Sequence, residues 1–93
     1  MSRRLQTLAP GTPVFCGDYR VGSIEGVYSE GDSHLPEYLA VRWDKRGATI
    51  LIATKEVQSL EDRGVILQTA DPTIYETSAT FDPKAFPTIK KLA

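Results

Sequence analysis

Two runs of apolar and β-branched residues, separated by a short polar loop, form the clearest pattern in the chain. Tyr38–Trp43 and Ala48–Thr54 flank Asp-Lys-Arg-Gly, which ends at Gly47. Such runs around a glycine-containing loop are typical of an antiparallel hairpin. Side chains alternate between the two faces of a strand, so Tyr38 and Arg42 fall on one face. The residues predicted to face the core are Leu39, Val41, Trp43, Ile50 and Ile52.

The rest of the pattern predicts four more strands around this hairpin. They are Pro13–Cys16, Tyr19–Ser29, Val57–Leu60 and Val65–Gln68. In the second of these, Gly22 and Gly26 interrupt the alternation, and glycines inside a strand often mark a bulge or a bend. A bent strand that changes its inward face is what the closure of a small barrel requires. We therefore predict an all-β fold: a small, six-stranded, antiparallel and partly open β-barrel.

The pattern changes after Thr69. Asp71-Pro72 and Asp82-Pro83 each place a helix N-cap residue before a proline suited to the first helical position, which predicts short helical turns. This region is too apolar for a free tail, with Ile74, Tyr75, Phe81, Phe86 and Ile89. The chain therefore divides into a lead-in (residues 1–12), a barrel domain (residues 13–68) and a C-terminal extension (residues 69–93) that docks on the barrel or on a partner.

Composition restricts the classes of function. Eleven Lys and Arg against twelve Asp and Glu give a net charge of −1, so the long-range attraction for phosphate backbones is missing and nucleic acid is an unfavoured partner. A single cysteine, Cys16, excludes an internal disulfide and a cysteine-rich zinc site. The basic N-terminus is not followed by the apolar stretch of a secretory signal, and no run of about 20 apolar residues predicts a transmembrane segment. We expect a cytoplasmic protein.

The reactive residue types stand alone, so we predict no catalytic residue, metal site or cofactor. His34, the only histidine, lies in the polar loop Glu30–Pro36 without a second ligand or an orienting partner. Cys16 lies near Asp18, whose charge opposes formation of a thiolate, so a core filler is the simpler interpretation. The acidic residues that bracket the loop lack the spacing of a calcium loop: Glu25, Glu30, Asp32 and Glu37.

The strand motifs of residues 13–68 resemble the PRC-barrel family, the small barrel of the photosynthetic reaction centre H subunit and of ribosome maturation factors. The similar segments are Pro13–Phe15 before the Gly17-Asp18 turn, Tyr19–Val27, Tyr38–Val41, Ile52–Val57 and Gly64–Leu67. Ala53-Thr54 stands where the family usually has a proline. The resemblance implies a six-stranded barrel that serves as a docking or assembly module, and it implies no catalytic residue.

The functional prediction is a non-catalytic protein-interaction or assembly module that contacts another protein or itself. Aromatic residues dominate interface energetics, and the predicted partner-binding residues are Tyr38, Arg42, Tyr75, Phe81 and Phe86. The alternative is an RNA- or ribosome-associated accessory domain, which rests on the family and on basic residues interleaved with aromatic ones: Arg20, Arg42, Lys45 and Arg46 near Tyr19 and Trp43. The sequence leaves open whether the extension packs on its own barrel or on another copy, and whether a homodimer forms.

Overall fold

A computed structural model describes residues 9–69 and 71–92, and about half of them belong to one β-sheet. Its strands are β1 (Pro13–Cys16), β2 (Tyr19–Glu30), β3 (Tyr38–Trp43), β4 (Ala48–Ala53), β5 (Val57–Glu61), β6 (Gly64–Leu67) and β7 (Ile89–Lys91). The helical structure described consists of three short 3₁₀ turns, Thr54–Glu56, Pro72–Tyr75 and Pro83–Ala85. The all-β prediction is confirmed. Within the described ranges, no helix has the length and apolar character needed to cross a membrane.

The sheet is built around β2, which is long enough to pair with three other strands. The strand order is β4-β3-β2-β1-β6-β5, and β7 pairs with the end of β2. The path is not closed, so β4 and β5 are the two ends of the described sheet. A register shift in β2 lies between Ile24 and Gly26. This irregularity coincides with one of the two glycines that predicted a bulge or bend.

Two features of the predicted sheet are wrong. There are seven strands rather than six, because Ile89–Lys91 pairs with the end of β2 through Glu30 and Ile89. The sheet is also not wholly antiparallel, since β1 runs parallel to β6, with Val14 opposite Val65. Neither feature has a local cause. The strand β7 is short and charged, and it gains its strand conformation by pairing with β2. No residue of β1 specifies the direction of a partner strand some 50 positions away.

The core contains all five residues that the alternation predicted. Leu39, Val41, Trp43, Ile50 and Ile52 are each at most 1% exposed. Cys16 is buried beside them, as the filler interpretation predicted. Burial of one such large side chain contributes roughly 1.5–3 kcal/mol, so this group accounts for a large part of the driving force for folding. The C-terminal extension adds Tyr75 to the same core.

The residues just before β1 extend the sheet. The backbone N–H of Gly11 donates to the carbonyl of Ile24 at 2.7 Å, and the N–H of Ile24 donates to the carbonyl of Thr12 at 2.8 Å. These bonds attach the end of the predicted lead-in to β2. Residues 1–8 of that lead-in lie outside the described residues.

Candidate interaction site

The face of β2, β3 and β4 that points away from the core contains a hollow. In the pairing of β2 with β3, Gly26 lies opposite Ala40. Two residues further along β2, Tyr28 lies opposite Tyr38. Arg42 lies opposite Thr49 of β4. Because Gly26 and Ala40 have almost no side chain, the surface sinks between the tyrosines on one side and Arg42 on the other.

The C-terminal extension covers part of this outer face. Thr80 forms a bridge with Ile50, and the N–H of Phe81 donates to the carbonyl of Thr49 at 2.8 Å. Further along, β7 pairs with the end of β2. The extension therefore shields part of the outer edge of β4, one of the ways in which proteins protect an open sheet edge.

Three aromatic rings lead from this covered face out to solvent. The ring of Phe81 meets Tyr28 edge to face, with centroids 5.1 Å apart, and Phe86 stacks on Phe81 with centroids 5.7 Å apart. Tyr28 is 8% exposed, whereas Phe86 is 43% exposed. We call these three residues the aromatic row. Its outer end presents a large apolar side chain to water.

A cleft of about 370 Å³, here called the outer cleft, lies between the sheet and the extension. Its lining residues are Glu25, Tyr28, Ala40, Thr49, Phe81, Pro83 and Lys91. The Glu25 carboxylate accepts a hydrogen bond from the Thr49 hydroxyl and lies 3.8 Å from the guanidinium of Arg42. Such a cleft, partly apolar with charged groups among its lining residues, suits an apolar side chain with polar neighbours.

The structure brings some of the predicted site residues together and separates others. Phe81 lines the outer cleft, and Phe86 stacks on the ring of Phe81. Arg42 forms an ion pair with Glu25 of the cleft lining. Tyr38 is the cross-strand neighbour of Tyr28, and its hydroxyl donates to Glu30 at 3.2 Å. This hydrogen bond is the largest cause that raises the pKa of Tyr38, and the negative charge of Glu30 is the second. The phenol therefore stays protonated.

Tyr75, the fifth predicted site residue, lies in the core of its own chain. Its ring packs against Trp43 with centroids 5.2 Å apart, and it is only 6% exposed. Its hydroxyl donates to the carboxylate of Glu56. The guanidinium of Arg46 donates hydrogen bonds to the backbone carbonyls of Tyr75 and Ser78, at 3.2 and 2.7 Å. In this conformation Tyr75 holds the extension in place and offers almost no surface to a partner.

The buried phenol of Tyr75 predicts a loss of stability in alkali. Burial first, and then the hydrogen bond to Glu56, raise its pKa above the ordinary value of 10.0. The unfolded chain then loses this proton at a lower pH than the folded chain does. The stabilisation that the protonated Tyr75 phenol contributes is therefore fully present below about pH 10, and it falls as the pH rises above that value. We expect the free energy of unfolding, measured with urea between pH 8 and 11.5, to decline more steeply for the native chain than for Tyr75→Phe. Parallel curves would contradict this assignment.

The basic group behind the RNA alternative is engaged within the chain. Arg46 binds the carbonyls described above, and the Lys45 ammonium lies 3.6 Å from Glu76. Arg42 faces Glu25. Trp43, the aromatic residue nearest to them in sequence, is 1% exposed, so no base can stack on its ring.

The polar loop is held by hydrogen bonds to carboxylates at its ends, and the cysteine is buried. Glu37 accepts from the backbone N–H of Glu30 at 2.8 Å, and the Glu30 carboxylate accepts from Thr88 at 2.8 Å. No cluster of three or more potential metal ligands forms within residues 9–69 and 71–92. Burial, and then the charge of Asp71, raise the pKa of Cys16, which keeps the thiol protonated.

Several residues of the outer cleft were not predicted from the sequence. Ala40 had a usable signal, because it shares the outer face with Tyr38 and Arg42 in the alternation of β3. Thr49 had a similar signal, because it shares the outer face with Leu51 and Ala53 in the alternation of β4. Tyr28 and Lys91 had none, since their proximity depends on how the strands and the extension assemble. No protein-family model, curated protein or solved structure matches the chain. The PRC-barrel resemblance therefore stays a prediction that rests on strand motifs.

Proposed function

We propose that the chain is a non-catalytic interaction module that binds a segment of another protein, or of a second copy of itself, at the outer cleft. The observation that carries the proposal is the aromatic row, which ends in the half-exposed ring of Phe86 beside a cleft of about 370 Å³. Aromatic side chains at the edge of a concave surface are typical anchors of protein interfaces.

The physical basis is removal of apolar surface from water, at roughly 25 cal/mol per Å². A docked segment would cover the exposed face of Phe86 and insert an apolar side chain above Ala40. Arg42 and Lys91 would orient the segment, since charged groups at the rim contribute more to specificity and association rate than to affinity. The rings are held by the sheet and by each other, so little conformational entropy is lost when they bind.

The architecture supports the same proposal. An open, seven-stranded sheet with a register shift in β2 is compatible with a small, partly open barrel, and a PRC-type barrel would be a docking or assembly module. We place this activity in the cytoplasm as part of the proposal. At the level of the fold, the proposed function rests on analogy with PRC barrels. The outer cleft, in contrast, is a feature of this chain.

A peptide-display selection tests the proposal directly. Random peptides are selected on the native chain, and the affinity of the enriched peptides is then measured by fluorescence polarisation. We expect Phe86→Ala to weaken binding at least tenfold, because it removes the outer ring of the aromatic row. Ile74→Ala is the matched control: Ile74 is also a large exposed apolar residue, at 53%, but it does not belong to the aromatic row, whereas Phe86 stacks on Phe81 of the cleft lining.

Self-association is tested with the full chain by light scattering over a range of concentrations. A dimer that dissociates in Phe86→Ala, but persists in Ile74→Ala, would identify the second copy as the partner. The proposal fails if no peptide is enriched and the chain stays monomeric. It also fails if the enriched peptides bind both variants as tightly as the native chain.

The RNA-associated alternative is less favoured, because the indole of Trp43 is buried and cannot stack on a base. Arg46 is bound to carbonyls of its own chain, whereas Arg42 and Lys45 form exposed ion pairs, which are weak. It stays a prediction from the sequence, and salt-dependent RNA binding that is lost in Arg42→Ala with Lys45→Ala would revive it.

A further inference from the structure

A second cleft, of about 290 Å³, lies between the end of β2, β7 and the polar loop. We call it the loop cleft. Ser29 lines it, whereas its neighbour Tyr28 lines the outer cleft. Successive residues of a strand point to opposite faces, so the two clefts lie on different sides of β2. The other polar residues of the loop cleft are Asp32, Ser33, His34, Lys90 and Lys91.

The hydroxyl of Ser29 is an unsatisfied polar group in this cleft. Ser29 is 1% exposed, and its Oγ has no hydrogen-bond partner within residues 9–69 and 71–92. Buried polar side chains nearly always have such a partner, and an exception calls for a ligand, an ion or a water that completes it. Ser29 therefore points to a ligand with a hydrogen-bonding atom.

The charges around Ser29 indicate the sign of that ligand. Lys90 is directly opposite Ser29 in the pairing of β2 with β7, so its side chain stands on the same face. Lys91 and His34 also line the cleft. Among the described residues that line the cleft, one has a carboxylate side chain, Asp32; it lies 3.7 Å from the Lys90 ammonium, and both side chains are largely exposed. Exposed ion pairs of this kind are weak, so a soluble anion can take the place of Asp32.

We propose that the loop cleft binds a tetrahedral oxyanion of the phosphate type. One of its oxygens accepts from the Ser29 hydroxyl, and another receives the Lys90 ammonium in place of the Asp32 carboxylate. The Lys90 side chain turns away from Asp32 as the anion enters, which opens the path to the covered hydroxyl. The Ser33 hydroxyl and the His34 ring supply further hydrogen-bonding groups at the mouth. This site shares Lys91 with the outer cleft, but Ser29 and Lys90 do not line that cleft, and the proposal does not depend on the proposed interaction function.

Titration with inorganic phosphate, followed by ¹⁵N chemical shifts at constant ionic strength in KCl, tests the proposal. We expect saturable shifts for the backbone amides of residues 29–34 and 90–92. Ser29→Ala should weaken binding about threefold to tenfold, because one hydrogen bond to the anion is lost. Asp32→Asn should strengthen it severalfold, since a competing carboxylate is removed. Glycerol 3-phosphate, titrated in parallel, distinguishes a phosphate ester from free phosphate as the preferred source.

Two controls separate a site from general charge effects. Lys90→Ala should weaken phosphate binding, whereas Lys45→Ala, the same change of charge at the other end of β3, should not. Thermal unfolding without phosphate should show Ser29→Ala to be at least as stable as the native chain, because its hydroxyl has no bond to lose. The proposal is overturned if phosphate produces no saturable shift, if Ser29→Ala binds as tightly as the native chain, or if Asp32→Asn binds more weakly.

Discussion

Replacing Gly22 with alanine should prevent the native sheet from forming. Gly22 lies opposite Trp43 in the pairing of β2 with β3. A Cβ at this position would overlap the backbone carbonyl of Arg42. A backbone oxygen cannot swing aside as a side chain can, so the overlap would separate β2 from β3. We expect a loss of about 4 kcal/mol or more in the free energy of unfolding, close to the whole stability of a small domain.

Gly47→Ala is the matched control for this change. Gly47 has φ +62°, a left-handed conformation, but a Cβ there would meet no atom within 4 Å. Its substitution should cost only about 1–2 kcal/mol, through backbone strain alone. Urea unfolding followed by far-ultraviolet circular dichroism and by the fluorescence of Trp43 measures both variants. Equal stabilities for Gly22→Ala and Gly47→Ala would contradict the close approach of β2 and β3.

Replacing Tyr75 with alanine should destabilise the chain by about 3 kcal/mol. The substitution leaves a cavity beside Trp43 and removes the hydroxyl that donates to Glu56. It also detaches the start of the extension from the core, so the bridge between Thr80 and Ile50 should weaken with it. Urea unfolding gives the free energy, and amide hydrogen exchange at Phe81 reports whether the extension has been released.

Two variants separate the contributions of Tyr75. Tyr75→Phe keeps the ring and removes one hydrogen bond, so about 1 kcal/mol should be lost. Phe86→Ala alters a half-exposed ring and should change stability by no more than about 0.5 kcal/mol. This contrast assigns Tyr75 to folding and leaves Phe86 for binding. If Tyr75→Ala were as mild as Phe86→Ala, the extension would not pack on its own core in solution.

The local pattern was sufficient for most of the strands. The bounds of Pro13–Cys16 and Tyr38–Trp43 agree residue for residue with the sequence prediction, and the other four predicted strands agree within one residue at either end. Strand alternation and turn residues act over a few neighbouring positions, so they can be recognised in one sequence. The same holds for the capped turns, where Asp71 and Asp82 accept hydrogen bonds from the N–H groups of Thr73 and Lys84.

The pairing of distant elements was decided by the tertiary structure. The parallel contact of β1 with β6, the seventh strand at Ile89–Lys91 and the packing of Tyr75 on Trp43 each join positions far apart in the chain. Several arrangements satisfy the same local alternation, and only the assembled core selects one of them. A single sequence therefore predicts which faces are apolar without predicting what covers them.

The candidate sites show the same division most clearly. The sequence by itself determined the hairpin, its buried face and the outer positions of Tyr38 and Arg42, because these follow from a period of two residues. Only the tertiary structure placed Phe81 on Tyr28, left Phe86 exposed and enclosed the Ser29 hydroxyl. Both clefts lie where the extension meets β2, between residues more than 50 positions apart, so their geometry exists only once the chain has folded.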